Sequence, residues 1–223
     1  MKARLIAQAI IKFSLGALLI GLMIFLPAGS IAFYNGWLLM AILFVPMFIA
    51  GVIMMVKNPS LLEKRLNAKE KEKGQDYVVK LSGIMFLAGF IVAGLNFRYK
   101  WHTIPTSVVI VATVVFILSY VLYAEVLREN TYLSRTIEIQ ENQKVIDTGL
   151  YGIVRHPMYL STLFLFLSMP LVLGSVFSFI IFLAYPFIIA KRIKGEEKLL
   201  EKELPGYAGY KKKVKYRLIP FIW

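Results

Sequence analysis

Long uncharged apolar runs alternate with short, densely charged stretches along the 223 residues. A helix needs about 20 apolar residues to cross a bilayer, so the blocks themselves predict the spans. The first run, 5–26, carries Lys12 as its only charge, and Pro27-Ala28-Gly29-Ser30 ends it. The second, 37–56, contains Pro46, a kink that membrane helices tolerate when neighbours cover the freed carbonyl. Residues 81–97 and 106–122 give a third and a fourth span. Arg98-Tyr99-Lys100-Trp101 closes the third with the aromatic and cationic side chains that anchor at a membrane interface, and Pro105 stands just before the fourth.

Between the second and third spans, Leu61, Leu62 and Leu66 recur at helical spacing among charged residues, so segment 57–80 is expected to hold an amphipathic helix on the membrane surface. The stretch 125–156 is too charged to cross. Residues 158–173 and 176–190 are apolar again, with Gly174-Ser175 between them as a tight turn. At 1.5 Å rise per residue each arm is ~23–25 Å long, so the pair is a helical hairpin that spans or nearly spans. Its second arm is expected to continue as a polar helix through Leu204 and stop at Pro205-Gly206. The predicted fold is all-α: a polytopic transmembrane helical bundle with a C-terminal helical hairpin, 157–204, and polar segments beside it. The organisation expected is 1–130, about four spans plus the amphipathic segment, followed by 131–223, which holds the hairpin and the tail.

Composition supports the membrane reading. Apolar residues make up 58% of the chain, above the ~45–50% of soluble domains. The net charge of +13, from 26 Lys+Arg against 13 Asp+Glu, sits in the stretches flanking the spans. Topology and anionic lipid headgroups account for it better than a nucleic-acid partner. Six apolar segments put both termini on one side, and only Arg98 and Lys100 fall on the other, so both termini are expected in the cytosol. The N-terminal run lacks a small-residue cleavage site and reads as a retained span. With no cysteine there is no thiolate nucleophile or Cys-based metal site, and two histidines, His102 and His156, are too few for a histidine-rich centre. No metal is expected.

Candidate chemistry lies where two polar segments converge. The first is Gly149-Leu150-Tyr151-Gly152-Ile153-Val154-Arg155-His156-Pro157-Met158-Tyr159. Pro157 suits the first turn of a helix and biases His156 towards an extended backbone. That holds Arg155 and His156 at a helix N-terminus able to receive a carboxylate. The alternative is that both are interfacial anchors. The second segment carries Arg192 and Glu196, neighbours at i and i+4. They are either a surface ion pair worth ~0.3–0.5 kcal/mol or a cation for an anionic substrate beside a carboxylate for a cationic cofactor. Tyr207, Tyr210 and the run Lys211-Lys212-Lys213 follow, then Arg217-Leu218-Ile219-Pro220-Phe221. The lysines suit lipid headgroups, and the tyrosines suit either the interfacial belt or a cap over a ligand.

Arg155-His156-Pro157-Met158-Tyr159, then Arg192-x-x-x-Glu196-Glu197, the paired tyrosines and Arg-Leu-Ile-Pro-Phe form a specific ordered combination beside a helical hairpin. In it, residues 134–221 resemble the isoprenylcysteine carboxyl methyltransferase family, which is related to the membrane phospholipid N-methyltransferases; Asn58-Pro59-Ser60-Leu61-Leu62-Glu63 also resembles the family. The resemblance implies an integral membrane enzyme that uses S-adenosylmethionine, with 131–223 as the catalytic region. It implies cofactor contacts from Gln143, Lys144, Val145, Ile146, Tyr151, His156, Pro157, Met158, Tyr159 and Glu196, and a role for Arg192 on the substrate carboxylate. Implied partners are membrane lipids and a lipophilic or prenylated acceptor. The chain departs from the family pattern at Gln143, where histidine is common, and at Gly149-Leu150-Tyr151, where the family has Gly-Pro-Tyr. It also departs in the stretch 204–210, which is less acidic.

The cofactor carries a sulfonium and an ammonium, which favour a carboxylate and aromatic faces, and a carboxylate, which favours cationic or amide donors. No Gly-rich strand–helix turn is present, which argues against a soluble Rossmann-type domain. A carboxylate acceptor needs no general base. The competing readings are lipid amine N-methylation, which would need one, and a non-catalytic carrier or scaffold; a carrier would be supported by charged residues buried mid-span, which the predicted spans lack. A nicotinamide-dependent reductase of related fold ranks behind these.

Overall fold

The computed structural model describes residues 2–66, 76–133, 139 and 141–223. Among these the regular structure is helical: α1 (Lys2–Ala28), α2 (Tyr34–Lys57), α3 (Pro59–Leu66), α4 (Asp76–Tyr99), α5 (Thr106–Glu129), a 3₁₀ turn (Gly149–Gly152), α6 (Pro157–Val172), α7 (Val176–Phe182), α8 (Tyr185–Glu203) and α9 (Tyr207–Lys213). Five segments are long and apolar enough to cross a membrane, namely Arg4–Ala28, Tyr34–Lys57, Asp76–Tyr99, Thr106–Glu129 and Val176–Glu203, while α6 is a shorter apolar helix. Large apolar side chains such as Leu18, Leu26, Phe48, Val111 and Phe187 are exposed on the outside of the bundle, as a lipid-facing surface requires. The expected polytopic all-α bundle is what the chain forms, and it is a multi-pass membrane architecture.

Several boundaries move. Pro27 lies inside α1 rather than ending it, and the helix stops at Gly29, whose φ of +63° is the left-handed conformation of a C-terminal cap. α4 begins at Asp76, before the apolar run, and α5 runs to Glu129, one and a half turns or more beyond it. Charged residues at the ends of a span extend its helix into the interface, where composition alone cannot separate helix from loop. Of the amphipathic segment, α3 is formed, with Leu61 and Leu62 buried; residues 67–75 lie outside the described residues, as do 134–138 and 140. Asn58 caps α3 by accepting the Leu61 N–H at 3.1 Å, and Lys12 donates to the Leu66 carbonyl at 2.6 Å, so the charge within the first span serves the end of α3. The second hairpin arm is divided into α7 and α8 at Leu183-Ala184. Pro186 has no N–H to return to the preceding turn, which kinks the arm there.

One apolar core runs through the bundle from Ile24 and Leu39 through Phe90, Phe116 and Val172 to Phe182, Ile193 and Leu218, so the segments before and after residue 130 share it. The close approach of α1 and α4 depends on glycine. A Cβ on Gly94 would lie 2.6 Å from the Ile24 carbonyl oxygen and 2.9 Å from the Ala28 nitrogen. Gly89 meets the Phe182 ring in the same way, at 2.2 Å, and the Ser178 hydroxyl donates to the Gly89 carbonyl at 2.8 Å. Small residues that let backbones touch are how membrane helices associate when lipid supplies no hydrophobic drive.

The N-terminal part of α1, α3, the start of α4 and the polar end of α8 gather at one end of the bundle: Lys12 reaches α3, and Lys191 sits 4.4 Å over the Tyr77 ring. The C-terminal region therefore lies at the same end as the N-terminus, with Arg98 and Lys100 at the other.

Gly94→Val is expected to destabilise the bundle by about 1–3 kcal/mol through overpacking against fixed backbone. Gly16→Ala, which meets nothing within 4 Å, should leave stability unchanged or slightly raised. Thermal unfolding of the two variants in detergent checks the contrast.

Candidate active site

The site is assembled on a turn that glycine makes possible. Glu129, the last residue of α5, accepts from the Thr148 hydroxyl at 2.9 Å and from the Leu150 N–H at 3.2 Å. Gly149, at φ +49°, lies between these two, and a Cβ there would fall 2.2 Å from a Glu129 oxygen. The 3₁₀ turn delivers Tyr151, whose hydroxyl accepts from Asn130 Nδ2 at 2.9 Å. The chain then enters α6 with Pro157 at its first turn and His156 in a non-helical backbone conformation, as the dipeptide requires.

The C-terminal tail is stitched to this entry. Arg155 and His156 donate their N–H groups to the Tyr216 and Arg217 carbonyls, both at 2.9 Å. The Arg155 guanidinium donates to the Val214 and Lys215 carbonyls, at 2.7 and 2.8 Å, and its Nε lies 2.7 Å from Glu197 Oε1. Glu197 also receives Arg217 Nε at 2.8 Å and faces His156 Nε2 at 3.4 Å. Only 3% of Glu197 and 6% of Arg155 is exposed, so this is a buried, charge-assisted network rather than a surface pair. Arg155 lines the cleft wall, and its guanidinium is spent on Glu197 and the tail carbonyls, a clamp that holds the tail to the entry of α6.

One residue before Glu197 on α8, Glu196 points elsewhere. Its Oε2 accepts from the Tyr159 hydroxyl at 2.5 Å, and the same hydroxyl accepts from Arg192 Nε at 3.1 Å. Tyr159 thus bridges the arginine and the carboxylate that the sequence placed at i and i+4. Arg192 is buried, so the pair is not the surface ion pair that was one of the two expectations for it.

These groups face one open cleft. Gln143, Lys144, Val145, Ile146, Tyr151, His156, Met158, Tyr159, Arg192 and Glu196 all line it, with Asn130, Leu200, Tyr207 and Tyr210 among the others. Pro157 does not; its ring is fully buried and starts α6. Burial pushes the Tyr151 and Tyr210 hydroxyls well above the ordinary tyrosine value, so both stay neutral. Beyond α9's tyrosines, Lys213 bonds Asp147 at 2.7 Å and holds its carboxyl below the usual range.

Sequence reasoning left out Glu197, Glu129 and Asn130. Glu197 stands beside Glu196 in the motif, but nothing in the sequence separates the roles of two adjacent glutamates. Glu129 and Asn130 sit at the end of a span, where polar residues ordinarily read as boundary.

Glu197→Ala is expected to cost about 3–5 kcal/mol, because it leaves Arg155 buried without its counter-charge. Limited proteolysis should then release the tail beyond α9 well before the bundle is cut. Lys202→Ala, at an exposed pair, is the matched control and should change neither stability nor cleavage.

Among known families, the model of the Isoprenylcysteine carboxyl methyltransferase (ICMT) family matches residues 108–202. No curated protein matches the chain. The matched segment contains nearly all of α5, the 3₁₀ turn, α6, α7 and α8 almost to its end, and with them the Tyr159, Arg192 and Glu196 cluster. Over that segment the chain is similar to the isoprenylcysteine carboxyl methyltransferase family, and the similarity lies within a chain that has five helices long and apolar enough to cross a membrane.

Proposed function

We propose that the chain transfers a methyl group from S-adenosylmethionine to a carboxylate on a lipophilic acceptor, at the cytosolic face of the membrane. The observation that carries this reading is the Arg192–Tyr159–Glu196 chain: a buried cation and a carboxylate, bridged by one hydroxyl at the wall of an open cleft.

The donor set suits the cofactor. Glu196 and the faces of Tyr151 and Tyr159 provide a carboxylate and aromatic rings for a group bearing positive charge. Lys144 and the backbone of 143–146 provide donors for a carboxylate on the opposite part of the ligand. When bound, S-adenosylmethionine supplies an already electrophilic methyl group. The protein's part is alignment and exclusion of water. Arg192 fixes the acceptor carboxylate, and its burial strengthens that pairing relative to one made in water. No residue has to remove a proton from an acceptor that is already a carboxylate. Arg192 follows the apolar run 176–190 by two residues, so an acceptor held by its lipid part in the bilayer meets it sideways. The cytosolic placement follows from the charge asymmetry: Arg98 and Lys100 at one end, the other basic residues towards the end that holds the cleft.

Calorimetry of S-adenosylmethionine and S-adenosylhomocysteine with the purified protein should show saturable binding, weakened about tenfold or more in Glu196→Ala. Arg192→Ala should keep most of the cofactor affinity and lose methyl transfer to a prenylated cysteine analogue with a free carboxylate. The product should be a base-labile methyl ester; a base-stable methylated product would instead assign an amine acceptor. Absence of cofactor binding by folded protein, in lipid as in detergent, would overturn the reading.

A further inference from the structure

We propose that Tyr207 is a further ligand-binding residue, its hydroxyl hydrogen-bonding a polar group of the adenosyl cofactor seated in the cleft; this rests on the function proposed above.

The argument begins with an unmet hydrogen bond. Tyr207 lines the cleft and is 4% exposed, yet its hydroxyl has no partner among the described residues. Folded proteins pair nearly all buried polar groups, and an orphan is a standing cost. The other buried tyrosine hydroxyls are all engaged. Tyr151 accepts from Asn130, Tyr159 bridges Arg192 and Glu196, Tyr185 donates to Thr162, and Tyr210 donates to the Tyr151 carbonyl. Among the described residues one other buried side-chain atom is unpaired, Asn96 Oδ1, and it belongs to the opposite end of the bundle.

The position of Tyr207 is fixed from both sides. Gly206, at φ +87°, turns the chain after α8, and the Tyr207 N–H donates to the Leu204 carbonyl at 3.2 Å. α9 is then held by the Tyr210 hydroxyl, by Lys213 on Asp147 and by Lys211 on Glu201. Burial, with the Glu197 and Glu196 carboxylates nearby, holds the group far above the ordinary tyrosine pKa, so it remains a neutral hydroxyl that can donate or accept. The ligand is the cofactor rather than the acceptor because Tyr207 packs in one cluster with Tyr210 and Val145, beside the 143–146 segment of the cleft, whereas Arg192 follows the apolar run of the second hairpin arm by two residues.

The test is Tyr207→Phe, which removes the hydroxyl and keeps the ring. Binding of S-adenosylhomocysteine by calorimetry should weaken about 3- to 10-fold. The melting temperature of the ligand-free protein should hold or rise, because an unpaired buried hydroxyl is gone. Tyr210→Phe gives the opposite signature in the ligand-free protein, a lower melting temperature, since it breaks an existing bond to the Tyr151 carbonyl. Unchanged S-adenosylhomocysteine affinity in Tyr207→Phe, with the wild type binding normally, would overturn this assignment and leave the proposed function standing. So would a fall in ligand-free stability, which would mark the hydroxyl as structural. A wild type that binds no S-adenosylhomocysteine would overturn both.

Discussion

The Glu197 carboxylate gathers three stretches of chain that are distant in sequence: the entry to α6, the middle of α8 and the C-terminal tail. Arg155, His156 and Arg217 all face it, and Arg155 carries the tail carbonyls of Val214 and Lys215 on its remaining donors. A carboxylate this deeply buried is costly to desolvate, and several N–H donors offset that cost only if all are present. The cleft depends on this condition. If the tail leaves, Arg217 and four backbone acceptors go with it, and the wall that carries His156 loses its backing. Glu196, one residue earlier and about 100° around the helix, is then free of that duty and turns to Tyr159 and the cleft. Two adjacent glutamates thus divide the work, one holding the walls together and one facing the cleft.

Much of the bundle was legible in the sequence because lipid leaves few options. Apolar blocks of about 20 residues must be helices, and the structure forms them at the four predicted places with extended ends. The exception was the second hairpin arm, where Pro186 divides an apolar run into α7 and α8. A proline within two residues of a kink is visible, but whether it kinks or ends the helix depends on what covers the freed carbonyl. Of the candidate site, the cluster of Arg192, Tyr159 and Glu196 was foreshadowed by i, i+4 spacing and by the helix start at Pro157. The clamp was not. Backbone bonds such as Arg155 to Tyr216 join residues far apart in sequence and leave no periodic trace.

The departure at Leu150 has a physical counterpart. Its N–H donates to Glu129 at 3.2 Å, and a proline in that place has no N–H to give. Proline fixes such a turn through φ, whereas here the end of α5 fixes it through a carboxylate that also binds Thr148. Gly149 is drawn into the same arrangement, since any Cβ would displace that carboxylate. The pre-organisation of Tyr151 is therefore moved from a covalent ring to a pair of hydrogen bonds, and it becomes coupled to the position of a membrane helix.

That coupling joins the bundle to the proposed chemistry. α6 has 16 residues, about 24 Å of helix against roughly 30 Å of hydrocarbon. A helix that short draws its N-terminus towards the depth of the headgroups, and with it Tyr159, two residues into the helix. Its partner Arg192 stands two residues past the apolar run of the other arm. The buried cation and the carboxylate are thereby held where apolar surface gives way to polar. An acceptor anchored by a lipid chain can present a carboxylate there without leaving the membrane, while a water-soluble cofactor approaches from the open side of the cleft. On the proposed function the same geometry limits the acceptor: its charged group must lie close to its lipid anchor, because Arg192 is buried and only a group brought down to the interface can reach it.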